Sequence, residues 1–247
     1  MKQLLKQLVK KIPIAFTQNQ KYDQQTKQVI RLVLSGQGSG VDVGALKGEI
    51  LDIMLRAAPQ GPHFAFEPIP ELYERLQQKY YGSPCTIFNM ALSHEVGTAS
   101  FNHVVSNPSY SGLRQRQYDR PNEVAQQITV QTDTLDRILS PDVKIDLIKI
   151  DVEGAELWVL QGAREHLQRD QPIVIFEHGL GASEFYESSP EKIYDLFAHC
   201  GYQINLMQRW LRHEPPLSLA AFQQQFYERR HYYFLAHPNG AVRSAFV

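Results

Sequence analysis

The chain reads as an α/β protein built on a mostly parallel sheet with helices on both faces. Three observations predict this. Helix-periodic and strand-like segments alternate along most of the 247 residues, the pattern of repeated βαβ units. The strand candidates "IDLIKID" and "PIVIFEH" are nearly continuous apolar runs, as strands covered on both faces require. The hydrophobic fraction of 43% is enough for one large core.

The elements follow in order. In "MKQLLKQLVKKIPIAF", Leu4, Leu5, Leu8, Val9 and Ile12 fall on one helical face, with Lys2, Lys6, Lys10 and Lys11 around it. Lysines break the apolar residues too often for a signal peptide. Such a helix lies on an anionic membrane, or packs on its own domain or on a partner subunit of a homo-oligomer. Packing is favoured, because one short helix anchors weakly. A second helix is predicted over residues 24–34, so residues 1–35 form a helical extension and 36–240 the main domain. Next come "SGVDVG" as strand and turn, "GEILDIMLRAA" as helix, "PHFAFEP" as strand, "PELYERLQQKYY" as helix and "CTIFNMAL" as strand. "EGAELWVLQGAREHL" reads as one helix, and Ser189-Pro190 starts another that Gly201 stops. "YQINLM" and "HYYFLAH" are the last strands. Two segments break the rhythm: residues 97–132, a hairpin around a polar loop, and residues 207–230, a loop and helix before the last strand.

Net charge is −1, so no basic field draws the chain to nucleic acid. No apolar run has the length a bilayer needs. The two cysteines have no metal or redox spacing, and a reducing, cytoplasmic setting is expected.

The loop "VDVGALKG" sits after the first strand of the alternating region. In open parallel sheets, ligands bind outside the carboxyl ends of the strands where strand order reverses. Dinucleotide folds use Gly-x-Gly-x-x-Gly to bring backbone against a pyrophosphate. Here only Gly44 and Gly48 are glycine, and Asp42 precedes them. An acid there suits a cation, and S-adenosylmethionine carries both a sulfonium and an ammonium. Glu67, about twenty residues on, is placed to accept ribose hydroxyls, although it would serve a nicotinamide cofactor as well. The competing functions are therefore a nicotinamide-dependent oxidoreductase and a non-catalytic binding module.

The blocks "VDVGALKG", "AFEPIPELYERL", "NMALSHEVGTASF", "VQTDTLDRI", "IDLIKIDVEGAELWVLQGA" and "IVIFEHG" resemble, in order, the FkbM family of S-adenosylmethionine-dependent methyltransferases. The resemblance covers about residues 38–238. It implies a seven-stranded, Rossmann-like class I methyltransferase fold and O-methylation of a hydroxyl on a glycan, polyketide or similar metabolite. Asp42, Gly44, Ala45, Gly48, Glu67, Pro68, Asn89 and Ala91 are then the expected cofactor-binding residues. The family usually has Asn where Leu46 stands and often His where Ala155 stands.

Methyl transfer needs a positioned acceptor oxygen and a route for its proton. Acids and an imidazole close two adjacent strands: Asp151 and Glu153 on one, Glu177 and His178 on the other. These four are the candidate catalytic residues, with the base among them open. Each has a structural alternative: Asp151 as a helix cap, Glu153 as a charge complementing a helix start, His178 as a packed histidine. A magnesium ion on Asp151 and Glu177 is disfavoured, because imidazole suits that ion poorly, so no metal is expected. Arg114, Arg116 and Arg120 in the polar loop are candidates for an anionic acceptor, offset by Asp119 and Glu123. Tyr110 and Trp210 are candidates for stacking on a sugar or for apolar packing.

Overall fold

The computed structural model describes residues 17–118 and 122–240. The basic stretch at residues 2–12, with Asp119 and Arg120, lies outside the described residues.

Helix α1 spans Gln18–Val33, six residues longer at its start than the apolar pattern implies. Thr17 and Gln20 form a reciprocal capping box that fixes this earlier start. Then follow β1 (Gly40–Val43), α2 (Glu49–Ala57), β2 (His63–Phe66), α3 (Pro70–Lys79) and β3 (Cys85–Phe88). After the side strands come β7 (Leu147–Ile150), α5 (Glu156–Gln161), α6 (Arg164–Asp170), β8 (Ile173–Glu177), α7 (Pro190–His199) and β9 (Tyr202–Asn205). Helices α8 (Met207–Leu211) and α9 (Leu219–Tyr227) lead to β10 (Tyr233–Pro238).

These seven strands form one sheet in the order β3-β2-β1-β7-β8-β10-β9. All pairs are parallel except those of β10, which runs antiparallel to both β8 and β9. Strand order reverses at β1, between β2 and β7. The loop after β1 therefore opens into the crevice where such sheets bind ligands.

Successive strand residues point to opposite faces. Val41, Val43, Ile148, Ile150, Val174 and Phe176 share one fully buried cluster. Leu147, Ile175 and Leu235 share the other, together with Val29 and Ile30 of α1 and Met54 of α2. Each such side chain, fully buried, contributes about 1.5–3 kcal/mol. Helix α1 is thus packed into the same core as the sheet.

The segment at residues 97–132 is a hairpin, as its alternation predicts. Strands β5 (Gly97–Val104) and β6 (Ala125–Asp133) pair antiparallel from Gly97↔Thr132 to Val104↔Ala125, and a two-residue strand β4 (Ala91–Leu92) joins β6 in a separate sheet. Three local expectations change. "CTIFNMAL" divides between two sheets, "EGAELWVLQGAREHL" breaks into α5 and α6 at Gly162-Ala163, and "YQINLM" ends as strand at Asn205. A short helix, α4 (Leu135–Ile138), follows β6. Gly162 has no room for a side chain, since an added Cβ would lie 2.1 Å from the Ser93 carbonyl oxygen. That close approach marks the break between the two helices.

Candidate active site

Two connected cavities open at the carboxyl ends of β1, β2, β7 and β8. The first is mainly apolar, with an empty volume of about 700 Å³, and runs along Phe66, Pro68, Met90, Ala91, Phe101 and Leu113. The second is larger and polar. Its walls include Asp42, Ala45, Lys149 and Glu177 from the sheet, Asn19, Tyr22 and Asp23 from α1, and Arg229 and Tyr233 near β10. Gly44, Leu46, Ser109, Asp151 and Glu153 line both.

The loop after β1 is shaped by left-handed backbone: Gly44 has φ 82°, Leu46 φ 48° and Gly48 φ 74°. A side chain on Gly44 would strike the Asp151 carbonyl, and one on Gly48 would strike the Tyr80 hydroxyl. Leu46 is the unusual member. Asn adopts this conformation more readily than Leu, which gives a backbone reason for the residue the family carries there.

Asp42 is 1% exposed, and neither carboxylate oxygen has a hydrogen-bond partner within normal limits. Burial pushes its pKa up to about 6, against the pull of the Lys149 ammonium. A buried, unpartnered carboxylate on a cavity wall is costly unless something cationic meets it. It suits the ammonium of S-adenosylmethionine, so the residues present fit that ligand.

Glu67 does something that spacing does not reveal. Its two oxygens accept from the Leu46 amide at 2.8 Å and the Ile69 amide at 3.0 Å, tying the glycine loop to the turn after β2. Burial raises its pKa to about 7. Pro68 and Ala91 line the apolar cavity. Asn89 does not: its amide donates to the carbonyls of Glu67 and Pro68 at 3.0 and 3.1 Å. Gly48 likewise serves the start of α2 rather than a cavity wall.

The acids at the strand ends separate by strand parity. Lys149 and Asp151 share a face of β7, Glu177 follows Ile175 on the same face of β8, and Tyr233 pairs with Glu177 in register. The four side chains meet. Lys149 Nζ donates to Asp151 Oδ2 at 3.0 Å, the Tyr233 hydroxyl donates to the same oxygen, and Glu177 stands beside Asp151 on the neighbouring strand. Burial opposes the charge on Asp151, but Lys149 and these hydrogen bonds outweigh it and hold the carboxyl at about 2. Burial and then the Asp151 charge push Glu177 well above the usual carboxylate range. Asp151 is not a helix cap. The helix α5 that follows has Ala155 at its N-cap and no side-chain cap; Glu156, its first residue, instead braces the preceding loop, accepting from the amides of Val152 and Gly154, both at 3.1 Å.

His178 follows Glu177 by one residue and so turns to the other face. It is fully buried, stacked on Phe226 with ring centroids 4.6 Å apart and bonded to Ser183 Oγ at 3.1 Å. Burial drops its pKa to about 3. The expectation that it faces the cofactor beside Asp151 is corrected: it is a packed histidine on the opposite side of the sheet.

Part of the polar loop lines the cavities: Ser109 stands on both, and Tyr110 and Arg116 on the polar one. Arg116 forms an ion pair with Glu153, the two side chains being 13% and 12% exposed. Arg114 lies over Trp158 at 5.1 Å and donates to the Phe185 carbonyl. Arg114 is exposed at the surface while making these contacts, and Arg116 lines the polar cavity while paired with Glu153. Trp210 is 8% exposed within the core, whereas Tyr110 lines the polar cavity and stacks on Tyr118.

Lys149 and Tyr233 escaped the sequence reading. A lysine inside the apolar strand "LIKI" was the available signal, since a buried cation requires an acid nearby. Tyr233 carried no comparable mark.

The comparisons agree with this geometry. The Methyltransferase FkbM domain matches residues 42–204, more than half of the chain. Methyltransferase sdnD of Sordaria araneosa is 31% identical over 166 residues, covering 55% of this chain and 64% of that protein. Among solved structures, Methyltransferase FkbM from Methylobacillus flagellatus KT superposes with a TM-score of 0.50 at 19% identity, over 83% of this chain and 44% of that one. The chain thus spans less than two thirds of either relative. The apolar cavity, the orphaned Asp42 and the matched domain converge: the chain belongs to the FkbM methyltransferase family, has the class I methyltransferase fold, and uses S-adenosyl-L-methionine as its cofactor.

Proposed function

We propose that the protein is an O-methyltransferase acting on a hydroxyl of a neutral, polar metabolite such as a glycan or polyketide. Bound in the cavities, S-adenosylmethionine supplies an electrophilic methyl group on sulfur. On this reading the apolar cavity with Pro68 and Ala91 holds the adenosine, Glu67 the ribose, and Asp42, Gly44 and Ala45 the amino-acid end. The acceptor enters the polar cavity.

The observation that carries this reading is Asp151, whose side chain lines both cavities and is kept ionised by Lys149 and Tyr233. A carboxylate held there accepts a hydrogen bond from an acceptor hydroxyl and orients it. Glu177 adjoins Asp151, and Glu153 is occupied by Arg116. Arg116 is paired with Glu153, and acids outnumber free cations around Asp151, which supports a neutral acceptor; Lys47 and Arg229 on the same cavity are the cations an anionic acceptor would need.

The test is transfer of labelled methyl from S-adenosylmethionine to a panel of neutral sugars, aminosugars, sugar phosphates and polyketide alcohols. Transfer to a hydroxyl is expected, with Asp151→Asn slowing the single-turnover rate about a hundredfold while S-adenosylhomocysteine affinity stays near wild type. Transfer to nitrogen or carbon alone would overturn the O-methyl assignment. A normal rate for Asp151→Asn would remove Asp151 from the reaction.

A further inference from the structure

We propose that Asp151 and Glu177 hold one proton between them in the donor-free protein, and release it to solvent when a cationic donor is seated where the two cavities meet. The carboxyl pair is thus armed as a base by the donor's own charge. This rests on the reading of the cavities as the donor and acceptor sites.

The geometry is that of a carboxyl pair. Ile150 and Phe176 are register partners on adjacent parallel strands, so the next residues, Asp151 and Glu177, stand side by side on one face. Two carboxylates that close cannot both remain charged without a cation for each. Lys149 and the Tyr233 hydroxyl both bond Asp151, which places the negative charge there and the shared proton on Glu177. The surrounding charges relieve the pair only in part. Asp42 on β1, Glu156 on α5 and Asp23 on α1 are acids, while Arg116 from the loop favours the charge on Glu177 but is itself paired with Glu153. Asp42, buried and without a hydrogen bond, lines the same polar cavity and marks it as a place for a cation.

A positive charge within a few ångströms of such a pair lowers its proton affinity by about 1–3 pH units. The pair then enters the reaction with both carboxylates ionised. As the acceptor oxygen bonds the methyl carbon, the carbon–sulfur bond breaks with its electron pair left on sulfur. The hydroxyl proton passes to the pair. The charge lost from sulfur equals the proton charge gained by the carboxyls, so the total charge of the buried site is unchanged across the step.

Isothermal titration at pH 7 in phosphate and in Tris, whose ionisation enthalpies differ, counts the protons released on binding. S-adenosylmethionine and S-adenosylhomocysteine share every ionisable group but differ in the charge on sulfur. Wild type is expected to release about half a proton or more for the sulfonium ligand beyond that for the thioether. Glu177→Gln and Asp151→Asn should each abolish the difference while still binding S-adenosylhomocysteine. Equal release for both ligands in wild type, or a difference that survives both substitutions, overturns the inference and leaves the donor site standing. Failure of wild type to bind either ligand overturns the donor-site reading itself.

Discussion

A β-carbon placed on Gly44 would stand 2.1 Å from the carbonyl oxygen of Asp151. The first loop and the strand end that carries the central carboxylate are therefore in backbone contact, and the glycine is required before any ligand arrives. Gly44→Ala should destabilise the fold by more than the ~1–2 kcal/mol of a left-handed alanine and weaken S-adenosylhomocysteine binding with it. Thermal unfolding alongside calorimetric binding checks this. A variant with the wild-type melting temperature and weak binding would mean that the glycine serves the ligand alone.

Glu67 has two duties to separate. Glu67→Ala is expected to cost about 1.5–3 kcal/mol of S-adenosylhomocysteine affinity. Part of that comes from loosening the Leu46 amide. Repeating the titration with methylthioadenosine and its 2′,3′-dideoxy analogue divides the two. If the substitution weakens both equally, Glu67 shapes the loop and does not touch the ribose.

Glu156 gives a pH signature. Its folded pKa, about 7, lies above the usual 4.5 because of burial, and one oxygen has no partner. The folded state then binds more protons than the unfolded state between those values, so this group's contribution is fully present below pH 4.5 and lost as pH rises through 7. Glu156→Gln keeps the oxygen that accepts from Val152 and Gly154 and removes the charge. Its stability relative to wild type should rise from near zero at pH 4.5 to about 3 kcal/mol above pH 7. Chemical denaturation across that range measures it, and a flat difference would refute it.

His178 behaves in the reverse sense. Its folded pKa of about 3 lies below the usual 6.5. The unfolded state takes up a proton that the folded state refuses, so stability from this group falls as pH drops below 6.5. His178→Phe extends the stack on Phe226 and should make the protein more acid-resistant by about 2–3 kcal/mol at pH 4.5. Methyl transfer and S-adenosylhomocysteine affinity at pH 7.5 should stay within a few-fold of wild type. A hundredfold loss of transfer would return His178 to the reacting groups.

The sheet and its order of elements were legible because apolar runs and turn residues recur at the βα period. That Asp42 and Gly44 belong to a turn at the sheet's crevice was legible because loop chemistry after a first strand is local, whereas the hold of Glu67 on the Leu46 and Ile69 amides was not. What stayed hidden depends on parity and distance. Glu177 and His178 are neighbours in sequence, yet strand alternation sends one to the cavity and the other into an aromatic stack. Tyr233 reaches Asp151 across 82 residues of sequence, a pairing that no local pattern encodes. Helix α1 reads as an extension in the sequence, because nothing in a polar helix marks Val29 and Ile30 as sharing a buried cluster with Leu235.

The last described strand, β10, slots between β8 and β9, so a sheet made of the earlier strands alone leaves a gap between those two. A chain elongating from its amino end can lay down β1, β7 and β8 and bring Asp151 beside Glu177 before Tyr233 exists. Until β10 is made and inserted, β8 keeps an open edge, the carboxyl pair lacks its phenol, and α1 lacks the Tyr232–Tyr233 surface it packs on. The phenol on Asp151 and the cover for the edge of β8 thus come from one strand, and a chain truncated before Tyr233 would lack both.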